Sequence, residues 1–593
     1  MAPAGPAGAA PLRHLTGPTG TITYAEPVGT TPTYLFPLYD GSNTNAAYFQ
    51  TTCWLPLYSF GSNSSPNIAV DGKLSLAKPP VLSNDNKKIT IVLKKYDWST
   101  GAPVTSRDLV FWMNIMLNEK TNFSNYRPGG WMDHVASYSA PSPSTFVLDL
   151  STAYSTSYLV DDALSVLVPI PQQAWDKTSA TSLDSNYDQT AAGAKEVYKY
   201  LNQQSKSLST WDTNPLWQVV DGPWRIEPGT GFQVTGQLTF VPNTHYSGPN
   251  KPKAAEFEKL PFTSASAEFN ALRSGSIDYG YVPSTDVGQV PALKSSGFKV
   301  EPWTGWGVSY ITINYSNPRD GDIVKQLYVR QAMQMLIDQP EYIKTLLGGY
   351  GTPTYGPVPT APKSPYLSPS LRSNPYPYDP AKATHLLEAH GWSIGKGGVA
   401  RCTKPGSGSH HCGAGIARGT SLDVSLTYAS GTPSVAEEVQ AMKTSFEHAG
   451  IDLVLKEGPL TTVVDATFEC QGKPMSKCSS RSPMLSYWGS PSYQYSPDYY
   501  PTGETLFACG AATNDGNYCN HTVEALINRA DGRATATSLR TFHQLDVLLA
   551  KQLPVLWMPN APVQISAISP KLGGVKAQDA SGDINAATWF VKS

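Results

Sequence analysis

A chain of 593 residues is longer than one hydrophobic core usually serves, so two or more compact units are expected, not necessarily continuous in sequence. A formal net charge of −2 with no long basic run excludes the clustered Lys and Arg of a nucleic-acid footprint, and no apolar run reaches the roughly 20 residues of a membrane helix. Only 15% of residues are charged, while 32 Tyr and 14 Trp supply flat apolar faces with polar edges, a composition suited to lining a cleft for a small ligand.

In chain order, Met1 to Gly20 is rich in Ala, Pro and Gly and reads as a disordered linker behind a leader that has been removed. Cys53, beside Trp54, reads as a buried free thiol. Ile89, Ile91 and Leu93 alternate with Thr90, Val92 and Lys94 as a half-buried strand, and Asp97 to Pro103 turns the chain. Thr105 and Asp108 then form a capping box ahead of the apolar run Leu109 to Trp112. Ala265, Phe269 and Leu272 share a helical face that Gly275 stops. Tyr310 to Asn314 makes a strand, and Val329, Ala332, Met333, Leu336 and Ile337 make a stripe on a helix beginning near Arg330. Asp379 caps a helix with Pro380 at its first position, Ala383, Leu386 and Leu387 inward, and Gly391 at its end. Leu422, Val424 and Leu426 alternate as a strand. Ser434 with Glu437 caps the next helix, with Val435, Val439, Met442 and Phe446 inward, and Gly450 stops it before Ile451, Leu453 and Leu455 alternate again. That β-α-β order implies parallel strands. The other six cysteines fall into close pairs, Cys402 with Cys412, Cys470 with Cys478 and Cys509 with Cys519; proximity makes these the simplest pairings among many, and they favour an exported location.

The run Ile89 to Ile115, ITIVLKKYDWSTGAPVTSRDLVFWMNI, resembles the "L-R-x-x-x-x-W-S-D-G-x-P-V-T-A-x-D-V" signature of the family 5 extracellular solute-binding proteins, the peptide, dipeptide and nickel receptors of ABC importers, with Thr100 in place of the usual Asp. Gly222-Pro223-Trp224 and Asn243 to Tyr246 resemble the family's "G-P-Y... R-N-P-x-Y" region, without the Gly-Thr pair that usually precedes it. Residues 265–278, 329–338 and 376–392 resemble its "A-L-x-x-G-x-I-D", "V-R-Q-A-L-x-x-A-I-D" and "Y-D-P-x-K-A-x-x-L-L-x-x-x-G-W" segments, in the family's order. The resemblance implies a mixed α/β, two-lobed periplasmic-binding-protein-like fold of type II, cluster C. Lobe one is expected from 21–65, 185–300 and 555–593, an extra subdomain from 66–184, and lobe two from 301–554, with crossings near Val300 and Val555.

Few catalytic patterns compete. No G-x-S-x-G elbow, H-E-x-x-H pair or Walker loop occurs, and Gly348-Gly349-Tyr350-Gly351, lacking the following Lys, reads as a turn. His410-His411-Cys412 with Cys402 offers zinc ligands, but adjacent histidines hinder each other on one ion and a disulfide loop fits better. The segment Leu485 to Phe507, LSYWGSPSYQYSPDYYPTGETLF, is too aromatic for an ordinary solvated loop. In the peptide-binding relatives the matching Trp-Gly is followed after one residue by an Asp that holds the peptide's α-ammonium. Here Pro491 stands there, and the next carboxylate is Asp498.

By this resemblance the chain is expected to be a receptor, with no enzyme activity, cofactor or metal. It would capture a peptide or peptide-like solute between the lobes and deliver it to ABC permease subunits. It is expected to be monomeric, extracytoplasmic and lipid-anchored through the removed segment. An oligosaccharide or other non-peptide receptor and a secreted hydrolase are the alternatives. Expected ligand contacts are Glu26, Pro27, Gly29, Thr30 and Thr31 from lobe one, and Trp306, Tyr310, Trp488, Gly489, Tyr493, Tyr495 and Asp498 from lobe two, the aromatics stacking and Asp498 accepting from a cation. Asp498→Asn should therefore weaken a cationic ligand and barely affect a neutral one in titration calorimetry; unchanged affinity for the cationic ligand removes the acceptor role.

Overall fold

In the computed structural model, Ile89 and Ile91 of the strand Lys88–Val92 are fully buried, as the alternation requires. This strand lies between Val81–Ser83 and Thr145–Leu150 in a four-stranded antiparallel sheet completed by Val135–Ser142. After a turn in which Trp98 N–H donates to Ala102 O, the helix Ser106–Asn118 begins. Asp108 accepts from Thr105 N–H at 2.7 Å and from Thr105 Oγ1 at 3.2 Å. Its other oxygen accepts from Gln172 N–H at 2.9 Å, so the cap also ties the helix to a distant segment. Leu109, Phe111, Trp112, Met113 and Ile115 are sealed in the core. The structure describes residues 18–28, 32–37, 52–60, 68–183, 186–395, 398–495, 499–532, 535–576 and 584–592.

Two larger sheets carry the rest. The first has seven strands in the order Lys299–Trp303, Gln564–Ile568, Tyr279–Tyr281, Thr21–Ala25, Glu256–Leu260, Leu238–Pro242, Trp224–Ile226, so both ends of the chain build it. Thr21–Ala25 runs parallel to both of its neighbours. The second sheet is centred on Gly307–Ile313, buried along its whole length, and on the parallel pair Asp423–Ala429 and Asp452–Gly458. The helix Pro433–His448 connects that pair, which is the expected β-α-β unit. Leu485–Tyr487, Tyr493–Gln494 and Leu556–Met558 each pair antiparallel with Gly307–Ile313.

The chain passes between these two sheets after Trp303 and again after Met558. The ladders reach these points: Trp303 pairs with Gln564, and Met558 with Ser309.

Local stop and start signals behave as chemistry dictates, with two shifts. Gly275 ends the helix Ala265–Ser274 at φ +76°, a conformation that costs glycine nothing. Asp379 accepts from Lys382 N–H at the start of Pro380–Ala389. The helix expected near Arg330 spans Leu327–Gln334, so Leu336 and Ile337 lie past its end, though all five residues of the stripe are buried. Thr432, not Ser434, is the N-cap residue of Pro433–His448, because Pro433 with its fixed φ takes the first helical position. Disulfides join Cys402–Cys412, Cys470–Cys478 and Cys509–Cys519, and Cys53 is a buried free thiol.

Asp108→Ala should leave two backbone N–H groups without acceptors and cost about 2–4 kcal/mol, read from the urea midpoint at unchanged m. A change below about 0.5 kcal/mol would show that the cap does not tie the subdomain.

Candidate inter-lobe binding site

Three segments meet where the sheets adjoin. At the end of the first strand, Glu26 N–H donates to Leu260 O at 2.9 Å, and its carboxylate lies 3.2 Å from Lys259 Nζ. Both side chains are buried; desolvation raises the Glu26 carboxyl and Lys259 opposes that rise. Pro27 is half-buried. One residue further, Val28 lies against Gly431: a Cβ placed on Gly431 would lie 3.4 Å from Val28 Cγ1 and 3.5 Å from Thr263 O. Gly431 precedes the helix Pro433–His448, and Val435 of that helix would stand 3.1 Å from a Cβ on Gly489, whose φ is +105°. The loop after the first strand, the helix start and the Trp488-Gly489 turn therefore converge. Gly29, Thr30, Thr31 and Asp498 lie outside the described residues.

The five expected aromatics form one neighbourhood. Tyr310 meets Trp488 edge-on at 6.1 Å and Trp557 at 6.3 Å between ring centres. Tyr493 packs edge-on against Tyr495 at 5.1 Å, and Tyr495 lies 6.4 Å from Trp306. Their polar ends are engaged: Trp306 Nε1 donates to Tyr499 O, Tyr495 Oη to Pro357 O and Trp488 Nε1 to Ser492 O, while Tyr493 Oη bonds Thr505 Oγ1. Trp306 and Tyr495 are 1% and 0% exposed and Tyr310 is 3%, so the protein itself covers these rings; Trp488 and Tyr493 are half-buried.

The turn carrying Pro491 is stitched to its surroundings by neutral groups. Ser492 Oγ accepts from Tyr310 N–H at 3.0 Å and contacts Tyr310 O and Gly489 O. Ser490 Oγ accepts from Ala561 N–H at 2.7 Å and bonds Ser309 Oγ, and both serines reach Asn560 Oδ1. Asn560 and Ala561 lie on the return crossing, so this turn and the crossing share one hydrogen-bond network. No spacing in the sequence pointed to Ser309, Ser490 or Asn560, which come together from three distant segments.

A further seam joins Phe60 and Asp161 to Tyr366 and Tyr499. Tyr499 N–H donates to Asp161 O at 2.7 Å, and its ring stacks on Phe60 at 4.1 Å. Tyr366 Oη donates to Asp161 Oδ2 at 3.1 Å, and burial pushes that carboxyl up to about 7. Among the described residues, Cys509, Cys519 and His521 bring ligand-type atoms within 4.8 Å of one another, but the disulfide uses both sulfurs, leaving one imidazole.

Beneath the Trp488 turn, Tyr487 Oη donates to Glu438 Oε2 at 2.6 Å, and burial pushes the Glu438 carboxyl from its ordinary 4.5 up to about 8. The folded protein holds this proton to higher pH than the unfolded chain. Its contribution is therefore fully present below pH 4.5 and is lost as pH rises through about 8. Glu438→Gln keeps an acceptor for Tyr487 and cannot ionise. It should match the parent near pH 5 and exceed it in stability at pH 8 by on the order of 1–4 kcal/mol, read from denaturant midpoints; a gap independent of pH would contradict this.

Residues 73–498 match the family model described as bacterial extracellular solute-binding proteins, family 5 Middle. A Brucella ovis protein provisionally named an ABC transporter peptide-binding protein is 28% identical over 347 residues, covering 57% of this chain and 56% of that protein. The matched part thus spans just over half the length of that relative. The oligopeptide-binding protein AppA from Bacillus subtilis, in complex with a nonapeptide, superposes with a TM-score of 0.73 at 16% identity, over 97% of this chain and 100% of that one. NikZ from Campylobacter jejuni, in complex with Ni(L-His), gives 0.68 at 18% identity over 96% and 99%. At these identities the solved structures establish the two-lobed fold, while the family model covers well over half of the sequence: the chain belongs to the bacterial extracellular solute-binding proteins of family 5.

Proposed function

We propose that the protein captures a peptide or peptide-like solute between its lobes and delivers it to the permease of an ABC importer. One observation carries the reading: two sheets, joined among the described residues by two crossings, bring the loop after the first strand, at Val28, against Gly431, one helix turn from Gly489. Such a junction opens and closes by hinge motion, and a ligand shifts that equilibrium by its preference for the closed form. Glu26, Pro27, Gly29, Thr30 and Thr31 would approach from lobe one. Trp488, Gly489 and Tyr493 would meet the ligand from lobe two, with Trp306, Tyr310 and Tyr495 as the packed wall behind them and Asp498 as a cation acceptor. The peptide named with AppA and the Brucella protein's name support a peptide class.

The role is that of a receptor rather than a catalyst, working as a monomer outside the cytoplasm. The family's extracellular character and three disulfides support that location, and no described helix is long and apolar enough to cross a membrane. Attachment to the cell surface through a lipid completes the proposal. A non-peptide solute is the second reading. It is favoured by Pro491 and its neutral Ser490–Ser309–Asn560 network, and by the half-buried faces of Trp488 and Tyr493, which suit stacking.

Thermal unfolding with pools of peptides and of oligosaccharides separates them. A ligand at 100 times its Kd adds about 2.7 kcal/mol of stability, and Trp488→Ala should weaken the active ligand about tenfold or more. Stabilisation by peptides supports the first reading and stabilisation by oligosaccharides alone supports the second. Turnover of either pool overturns the receptor role.

A further inference from the structure

Arg127, in the subdomain, is 2% exposed, and its guanidinium is spent on one distant stretch of chain. Nε donates to Glu504 Oε2 at 2.6 Å, Nη2 to Asp531 Oδ2 at 2.6 Å and Nη1 to Asn528 Oδ1 at 2.9 Å. Glu504 and Asp531 are as deeply buried as Arg127. Around this ion cluster, Tyr158 Oη donates to Glu504 Oε1, Ser155 N–H to Asp531 O and Ala512 N–H to Tyr126 O. Tyr154 forms a backbone bridge with Gly532, and the Tyr158 and Tyr500 rings meet edge-on.

The stretch that receives Arg127 belongs to the second lobe. The helix His521–Asp531 packs on Thr535–Gln552. From that second helix Asp546 accepts from Ser368 N–H, and Gln552 O accepts from Arg330. The cluster therefore spans two bodies that a hinge would separate. Three charged groups out of water are a poor way to add stability, since well-packed apolar side chains serve as well or better. What directed bonds from one planar guanidinium supply is a single allowed placement of its partners.

We propose that Arg127 with Glu504, Asp531 and Asn528 is a latch that holds the subdomain against the second lobe by protein contacts alone, so that the unliganded receptor is already mostly closed. Its use in closure rests on the receptor reading above. The latch predicts that a ligand tightens a preformed arrangement, and that opening must break a buried ion cluster together with the Phe60–Tyr499 stack.

Spin labels on Val81→Cys in the subdomain and Val454→Cys in the second lobe, both exposed at 61% and 50%, report the separation by pulsed electron resonance. Without ligand the parent should show one dominant short distance. The neutral variant Arg127→Met/Glu504→Gln/Asp531→Asn leaves no charge unpaired and should raise a longer-distance population at least tenfold. Arg127→Lys keeps the charge and loses the fork; it should give a smaller rise, and it decides the matter if the triple variant does not fold. A parent distribution already dominated by long distances, or folded variants with the parent's distribution, overturns the latch. Ligand-induced thermal shifts on the same samples keep the two proposals apart: an unmoved distribution with intact shifts sinks the latch alone, and a moved distribution without any shift sinks the receptor reading and leaves the latch standing.

Discussion

Among the described residues two covalent crossings join the two principal sheets, so the placement of one lobe on the other is set by what packs across the seam. That packing is continuous. One apolar cluster runs from Ile22, Trp54 and Phe60 through Trp112 and Tyr158 to Trp306, Tyr495, Tyr499 and Leu549, while a second, around Ile313, Val424, Leu426 and Phe446, stays within the second lobe. Each fully buried aromatic or aliphatic side chain contributes roughly 1.5–3 kcal/mol relative to exposure. A few such groups at the seam are enough to bias opening and closing without making closure irreversible.

The polar contacts at the same seam supply direction rather than net stability. Across it Arg127 bonds Glu504, Asp531 and Asn528, the Asp161 carboxylate accepts from Tyr366, and the backbone N–H groups of Ser155, Tyr499 and Ala512 each find one carbonyl. The turn from Trp488 to Ser492 is tied in by a different route, since Ser490 bonds Ala561 N–H and Ser309 on either side of the crossings. Ser490 Oγ also reaches Asn560 Oδ1, so the turn is bonded to the return crossing directly, with no intermediate element. The Trp488–Ser492 turn and the return crossing thus share one hydrogen-bond network.

Much of the fold was legible because its signals are local. The Thr105–Asp108 cap, the Gly275 stop, the β-α-β unit from Leu422 to Leu455 and disulfides between cysteines eight to ten residues apart all depend on neighbours within a turn or a short loop. Where local signals compete, the outcome differs: Pro433 moves the cap from Ser434 to Thr432. The site was legible only in outline. The resemblance and the aromatic stretch after Leu485 together marked Trp306, Tyr310, Trp488, Tyr493 and Tyr495, yet nothing in the sequence tells an enclosed Trp306 from a half-buried Trp488, because that depends on residues such as Tyr499 far along the chain. The Glu26–Lys259 pair and the Arg127 cluster were invisible for the same reason.

Amide hydrogen exchange across the seam tests this account most directly. The N–H groups of Ser155, Tyr499 and Ala512 bond Asp531 O, Asp161 O and Tyr126 O, while those of Gly307–Ile313 lie inside the second sheet. If the seam is an opening surface, the three seam amides exchange through a partial opening of lower free energy than the sheet amides, and a bound ligand slows them selectively. Seam and sheet amides exchanging together only on global unfolding, with no selective slowing by ligand, would contradict it.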